Sequence, residues 1–221
     1  MARREPPTRR PDPVGWLRVG YTKTGPAAYA SHRDLARAFE RMFRRAGVPL
    51  AYSSGFSPHP RISHFNVAPT GDSSLAEFLE LGLAAECDPE ALLEALNAVT
   101  LQGVVFTTAT PTGRGATAKE LTASRWLAEF TAPTGLAAAA TALLAAPTTC
   151  ITRATGKGLK TIDVKPALRT LRVEENNAVM VLAHTEPLVR ASDVLTALET
   201  HKASWSAYRL TRLAQGLDGT L

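Results

Sequence analysis

Residues 31–49 read SHRDLARAFERMFRRAGVP and predict an amphipathic helix. Ser31 and Asp34 have the spacing of a capping box, in which a hydroxyl group and an acid three residues later satisfy free amides at a helix start. Gly47 and Pro49 predict where the helix ends. Apolar residues recur at helical spacing and define a core-facing side: Leu35, Ala38, Phe39, Met42 and Ala46.

The opposite side of the same helix carries arginines. At about 100° per residue four of them fall close together and a fifth lies at the edge of the cluster. We call the five the arginine stripe: Arg33, Arg37, Arg41 and Arg44, with Arg45 at the edge. Guanidinium groups can donate two parallel hydrogen bonds to a phosphate, although any exposed helix also needs charged residues for solubility. Only Asp34 and Glu40 are acidic in this span, which favours phosphate binding over a merely solvated face.

Outward from this helix, apolar segments and turn residues predict further elements. In the first half the predicted strands are 14–21, 62–69, 77–83 and 104–110, and the second helix runs from Asp88 to Ala98. In the second half the predicted strands are 126–131, 168–173, 178–183 and 207–213, with helices at 136–146 and 193–200. Each half has the order strand, helix, strand, strand, helix, strand. The predicted fold class is therefore α+β, with two ferredoxin-like (βαββαβ) units in tandem and helices covering each antiparallel sheet.

Composition predicts the domain boundaries. The predicted parts are a disordered basic tail at 1–13, a first unit at 14–112, a linker at 113–123, a second unit at 124–215 and a tail at 216–221. The basic tail lacks the apolar core of a signal peptide, and no later run reaches the roughly 18 apolar residues of a membrane span. Cys87 and Cys150 are the only cysteines. Together these features predict a cytoplasmic protein without a membrane partner.

Residues 52–63 read YSSGFSPHPRIS, and we call them the PHP segment. Pro58 and Pro60 favour extended backbone in the residues before them, while Gly55 allows a turn that other residues resist. The segment therefore predicts a shaped recognition loop that presents His59 and Arg61. The alternative is a strand connection whose polar groups satisfy only its own backbone.

Charge is distributed unevenly along the chain, whose formal net charge is +5. Residues 1–64 carry 12 Lys or Arg against 4 Asp or Glu, whereas residues 65–102 carry 7 acids and no bases. A second basic patch spans 153–172, with six bases and one acid around Lys157. Basic surfaces favour polyanion binding, and the acidic part, centred on 72–94, suits docking to another protein.

Several familiar chemical motifs are not met. Lys157 follows Gly156, but the leading glycine and the Ser or Thr of a phosphate-binding P-loop are missing. The spacing of His59 and His64, with or without His32, matches no compact metal site. We therefore predict no metal and no cofactor in this chain.

A family resemblance rests on the first half of the chain. The matching residues are Lys23, Gly25, Ser31-His32, Asp34-Leu35, Arg37, Arg41, Arg44-Arg45-Ala46, Pro49 and most of the PHP segment. On these residues the sequence resembles the radical-SAM-linked family of unknown function. A second landmark is formed by Lys160 and the segment 163–166. Ser54 and Ser57 depart from the Gln and Asn usual there, which puts amide-based contacts at this loop in doubt.

The resemblance implies a radical-SAM protein as partner, because family members are fused behind one or occur as separate chains. Two isolated cysteines cannot supply the three clustered cysteines of the radical enzyme itself. We therefore expect a non-catalytic accessory module that binds structured RNA (tRNA or rRNA) or another phosphate-rich substrate. The expected binding residues are Lys23, His32, Arg37, Arg41, Phe56, His59, Arg61, Lys157, Lys160 and Lys165.

Two other functions stay open. One is a metal-independent RNA-processing or RNA-modifying enzyme that uses His59 or His32 as general acid or base. The other is a pure protein-interaction module without RNA affinity. The sequence identifies no catalytic residue.

Overall fold

The computed structural model describes residues 10–156 and 158–221. Within them the chain is α+β, with mainly antiparallel strands and five α-helices, which confirms the predicted class. The chain divides into two compact units, Met1–Glu120 and Leu121–Leu221. Most of the predicted basic tail lies outside the described residues. In the part that is described, no helix has both the length and the apolar character needed to cross a membrane.

The first unit is a four-stranded antiparallel sheet with three helices. Its strands are β1 (Gly15–Lys23), β2 (Ile62–Phe65), β3 (Ser73–Leu83) and β4 (Phe106–Thr112). Its helices are α1 (His32–Arg45), α2 (Pro89–Ala98) and α3 (Ala116–Glu120). The strands lie in the order β4-β1-β3-β2.

The core of the first unit forms where α1 packs on the sheet. Alternate residues of β1 and β3 point to one face and meet the apolar side of α1: Leu17, Val19, Tyr21, Leu79, Leu81, Leu35, Phe39 and Phe43. The ring of Phe39 is fully buried and lies 4.9 Å from Tyr21 and 5.7 Å from Phe106, centroid to centroid. Each such side chain stabilises the fold by about 1.5–3 kcal/mol. This packing fixes α1 so that its opposite side faces outward.

The second unit has a sheet of the same size and a separate hairpin. Its sheet contains β5 (Ala123–Thr131), β8 (Leu168–Glu174), β9 (Asn177–Ala183) and β10 (Ala207–Gly216) in the order β10-β5-β9-β8. Its helices are α4 (Leu136–Ala145) and α5 (Ala191–Thr200). The hairpin pairs β6 (Cys150–Thr155) with β7 (Gly158–Asp163), a region that none of the predicted strands covers.

Two segments predicted as connecting chain carry defined structure. The predicted linker 113–123 contains α3, whose first amides are bound by the buried carboxylate of Glu80: the N–H groups of Gly115 and Thr117 donate to it at 2.8 and 2.9 Å. In the predicted tail 216–221, Asp218 pairs with Arg169 at 2.8 Å. Both segments are therefore attached to the units beside them.

Candidate nucleic-acid interface

All five guanidinium side chains of the arginine stripe are exposed on α1. Among the described residues none of them forms an ion pair or a side-chain hydrogen bond. Arginines four residues apart stand about 6 Å from one another along the helix axis. The stripe is therefore a row of cations with unused hydrogen-bond donors.

One of the two acids on α1 is used at the helix start. The hydroxyl of Ser31 accepts a hydrogen bond from the amide of Asp34 at 3.2 Å and donates one to its carboxylate at 2.7 Å. This confirms Ser31 as the helix cap. Asp34 and Glu40 are the two acids on α1 against five arginines, so the exposed side of α1 carries a net positive charge.

The PHP segment is a loop closed at its base by backbone hydrogen bonds. The amide of Ser53 donates to the carbonyl of His59 at 2.8 Å, and the amide of His59 donates to the hydroxyl of Ser53 at 3.0 Å. Below them the amide of Arg61 donates to Ala51. Gly55 has φ = +121°, a conformation that favours glycine. The loop therefore has a framed base and a protruding tip.

The loop presents an aromatic ring at its tip and an imidazole at its base. Phe56 is 66% exposed, and His59 is exposed as well. Arg61 lies lower, half-buried, with its Nε buried and without a hydrogen-bond partner in the described part of the chain. Phe56 and His59 are thus accessible to a ligand, and Arg61 is accessible only in part.

Lys23 does not belong to this surface, which corrects the sequence-based assignment. It is only 1% exposed, and its ammonium group donates to the carbonyls of Ala68, Pro69 and Asp72 at 3.0, 2.8 and 3.2 Å. Lys23 continues the alternation of the buried β1 residues and therefore points inward. Its role is to hold the loop that follows β2.

Most basic side chains described in the second basic patch form bonds within the protein, which is another correction. Lys165 donates to the carbonyls of Leu143 and Leu144 at 3.1 and 2.8 Å, so it caps the C-terminal end of α4. Arg153 pairs with Asp193 at 2.5 Å, and Arg169 pairs with Asp218. Lys160 is exposed on β7, and Lys157 lies outside the described residues.

The acidic region is also smaller on the surface than in the sequence. Glu77 and Glu80 are buried, and the carboxylate of Glu77 accepts the amide of Ala68 at 3.1 Å. The exposed acids cluster around the start of α2: Glu86, Asp88, Glu90 and Glu94. Only this cluster is available for docking.

A cavity of about 390 Å³ lies beside the start of α1, lined by His32, His64 and residues 66–70. The two imidazole rings are perpendicular, with centroids 5.2 Å apart, and His64 stacks on Phe39 at 5.9 Å. Burial, together with the charge of His32, lowers the pKa of His64 to about 4, so this ring is neutral at pH 7.

In the sequence-based prediction His64 was considered only as a metal ligand, and the cavity was not predicted. The described residues contain no group of three or more His, Cys, Asp or Glu side chains that could hold a metal. The feature of the sequence that could have pointed to His64 as a site residue was its position directly after the PHP segment. Its meeting with His32 depends on tertiary packing, which spacing along the chain does not reveal.

The site thus combines a helix whose exposed arginines have no partner among the described residues with a loop that backbone hydrogen bonds close at its base. A family model matches residues 16–193, and the chain belongs to that family, which is described as "Uncharacterized protein conserved in bacteria (DUF2344)".

No curated protein matches the chain. Among solved structures, an unknown protein from Galdieria sulphuraria is similar at 13% identity, covering 90% of this chain and 98% of its own, with a TM-score of 0.27. A TM-score this low supports no statement about fold or function.

Proposed function

We propose that the protein is a non-catalytic accessory module that binds structured RNA through its first unit. The observation that carries this proposal is the arginine stripe: five exposed guanidinium groups on one side of α1 without a partner among the described residues. Each guanidinium matches the geometry of a phosphate group, and its binding releases counterions that had condensed on the RNA. A row of such groups therefore favours a polyphosphate backbone over a single small anion.

The PHP segment adds contacts of a different kind. Phe56 stands exposed at the tip of the closed loop and His59 stands exposed at its base, and unstacked RNA bases bind to aromatic and imidazole rings of this type. Arg37 and Arg41 would hold phosphates, and Phe56 and His59 would hold bases. Of the binding residues predicted in the second unit, Lys160 is exposed and available for such a role.

We also infer that each unit is ferredoxin-like. In chain order, leaving the β6–β7 hairpin aside, both units run β-α-β-β-α-β, and both sheets place the fourth strand first, followed by the first, third and second. Two antiparallel sheets with this shared order support a tandem arrangement, with the hairpin inserted in the second unit.

For a partner we propose a radical-SAM protein, as the resemblance in the first half of the chain implies. The exposed acids at the start of α2 would form the docking surface. The test is co-elution in size-exclusion chromatography with a radical-SAM protein of the same genome. We expect a complex that the triple variant Glu86→Gln, Glu90→Gln, Glu94→Gln weakens at low salt, and separate elution at every salt concentration would contradict the partnership.

The RNA proposal is tested by fluorescence anisotropy with labelled tRNA and rRNA fragments across a salt series. We expect binding with a steep salt dependence in the native protein. Replacing both Arg37 and Arg41 by Ala should reduce the slope of log Kd against log salt by about 1.5, because each phosphate contact contributes about 0.7–0.9. The control is Lys119→Ala, which removes an exposed base on α3 that lies outside both basic segments.

Two results would contradict the RNA proposal. One is the absence of binding at low salt, which would favour a pure protein-interaction module if the radical-SAM complex forms. The other is unchanged affinity and slope in the double arginine variant, which would place RNA binding elsewhere on the chain.

The paired histidines favour a second candidate function, a metal-independent RNA-processing enzyme. A neutral His64 beside His32 in an open cavity has the composition of a general acid–base pair, and His59 offers a further imidazole. Purified protein incubated with cellular RNA and EDTA should then release products, and His32→Ala or His59→Ala should abolish them. RNA that stays intact while remaining bound would exclude this candidate.

A further inference from the structure

The cavity beside the start of α1 has a wall that is held from behind by buried charged groups. Lys23 donates to the carbonyls of Ala68 and Pro69, and Glu77 accepts the amide of Ala68. Both side chains are at most 1% exposed. Burying ionised groups is costly unless they are fully hydrogen-bonded, so here their bonds fix the position of a surface loop.

The same wall contains an unusual backbone conformation. Asn66 has φ = +45°, in the left-handed region that non-glycine residues seldom adopt. Such conformations persist where surrounding contacts determine them, and they are concentrated at ligand sites. A rigid wall lowers the entropic cost of binding a ligand, which is the advantage of a preorganised pocket.

The rest of the cavity lining consists of the two imidazole rings of His32 and His64. His64 is held by stacking on Phe39, and its Nδ1 is buried without a partner among the described residues. Nε2 is therefore the ring nitrogen left for a ligand. Because His64 is neutral at pH 7, it offers that ligand a hydrogen-bonding heterocycle rather than a cation.

The chemistry of the cavity narrows the class of ligand. Its volume of about 390 Å³ is within the range of small-molecule sites. A metal ion would need a third protein ligand, which the described residues do not group with the two histidines. Perpendicular ring faces and a neutral nitrogen suit a planar, uncharged heterocycle.

We propose that this cavity receives one unpaired base of a bound RNA, a proposal that rests on the RNA-binding function proposed for the first unit. Unpaired bases are the part of RNA that proteins read, by stacking and by hydrogen bonds to base edges. The base would stack on His32 and hydrogen-bond with Nε2 of His64. Arg33 directly follows His32 on α1, about 100° around the helix, so the stripe begins one residue beyond the stacking ring.

The first test uses nucleosides, which carry no phosphate and therefore do not depend on the arginine stripe. Imidazole ¹H–¹⁵N signals of His32 and His64 are followed by NMR while adenosine, guanosine, cytidine or uridine is added to millimolar concentration. We expect at least one nucleoside to shift both signals. His32→Ala should weaken its binding about tenfold, as for loss of one stacking contact. The control is Gln102→Ala, which removes another exposed polar side chain of the first unit.

The second test compares an RNA hairpin with the same hairpin carrying one abasic position in its loop. The native protein should bind the abasic RNA about tenfold more weakly, whereas His32→Ala should bind both equally.

The outcomes separate the cavity from the stripe. If a nucleoside shifts both signals and the double arginine variant binds RNA as the native protein does, base binding in the cavity would be supported and phosphate binding by the stripe would be contradicted. If RNA binding depends on salt, no nucleoside shifts the signals and both hairpins bind with equal affinity, the proposed base binding in the cavity would be wrong. RNA binding through the arginine stripe would still stand. Signals of both histidines that respond to Zn²⁺ alone, and to no nucleoside, would overturn it as well.

Discussion

The ammonium group of Lys23 lies beneath residues 68–72, where it donates to three backbone carbonyl oxygens. A buried cation in this position ties a surface loop to the edge of the core. Removing the cation leaves three carbonyls without this donor in a site that is buried at Ala68 and half-buried at Pro69 and Asp72, and each unsatisfied buried group costs about 1–3 kcal/mol.

We therefore predict that Lys23→Met lowers the free energy of unfolding by about 3 kcal/mol or more. Urea denaturation followed by circular dichroism measures this change. Lys119→Met is the control, because Lys119 is exposed on α3 and its replacement should shift the free energy by less than about 0.5 kcal/mol. Equal stability of the two variants would contradict the structural role of Lys23.

His64 makes stability depend on pH in a defined direction. Burial, with the nearby charge of His32, lowers its pKa from 6.5 to about 4 in the folded protein. As pH falls through this window the unfolded chain takes up the proton first, so the free energy of unfolding decreases from about pH 6.5 to pH 4.

The second prediction uses His64→Phe, which keeps the stacking on Phe39 and removes the titrating group. The loss of unfolding free energy between pH 7 and pH 4.5 should be about 2 kcal/mol smaller in this variant than in the native protein. Urea titrations at the two pH values provide the measurement, with the exposed His59→Phe as control. A loss as large as that of the native protein would show that His64 is not its source.

At the scale of single residues, sequence identified which side chains are unusual but not which way they point. Lys23 and Lys165 look like phosphate ligands in a sequence that is rich in bases, yet both donate to backbone carbonyls. The inward direction of Lys23 was readable from the alternation along β1, since it follows Leu17, Val19 and Tyr21 at two-residue steps. The bonds of Lys165 depend on where α4 ends relative to a distant loop, which no local pattern contains.

Among the elements, α1 combines a packed side, a charged side and a capped start in 14 residues. Its periodic pattern and its cap are local signals, and they predicted its course well. The β6–β7 hairpin escaped prediction because most of its side chains are exposed, so it lacks the apolar alternation that marks a strand.

The cap yields the third prediction. Ser31→Ala should destabilise the protein by about 1 kcal/mol, because the amide of Asp34 loses its acceptor and the carboxylate loses its hydroxyl donor. Thermal unfolding by calorimetry gives the measurement. Ser63→Ala, at an exposed site on β2, serves as the control, and an equal effect of both changes would argue against capping.

For the whole molecule, the distribution of exposed charge between the two units differs from the distribution of charge counted along the sequence. In the first unit the arginine stripe is exposed and Glu77 and Glu80 are buried. In the second unit Arg153 and Arg169 form ion pairs, and Lys165 caps the C-terminal end of α4. Sequence counts assigned a basic patch to each half. The pairing partners Asp193 and Asp218 are distant in sequence from the bases they neutralise, so counting within a window overstated the second patch.

The fourth prediction follows from this division. Residues 1–120, produced alone and shown to be folded by circular dichroism, should bind RNA with the salt slope of the full chain, and residues 121–221 should bind at least tenfold more weakly. Anisotropy titrations of both fragments against the same RNA make the comparison. Equal affinity of the second fragment would assign the interface to both units.

The closed base of the PHP segment separates its framework from its tip. The bonds between Ser53 and His59 join backbone to backbone and one hydroxyl to an amide, and none of them involves the side chains at positions 54–58. The side chains at positions 56 and 57 can therefore be exchanged without removing a bond of the base, whereas Gly55 has a φ of +121° and the hydroxyl of Ser54 accepts the amide of Arg10 at 3.0 Å. A small library randomised at positions 56 and 57 would keep its stability while altering which ligand it retains, so the loop is a ready starting point for evolving new specificity.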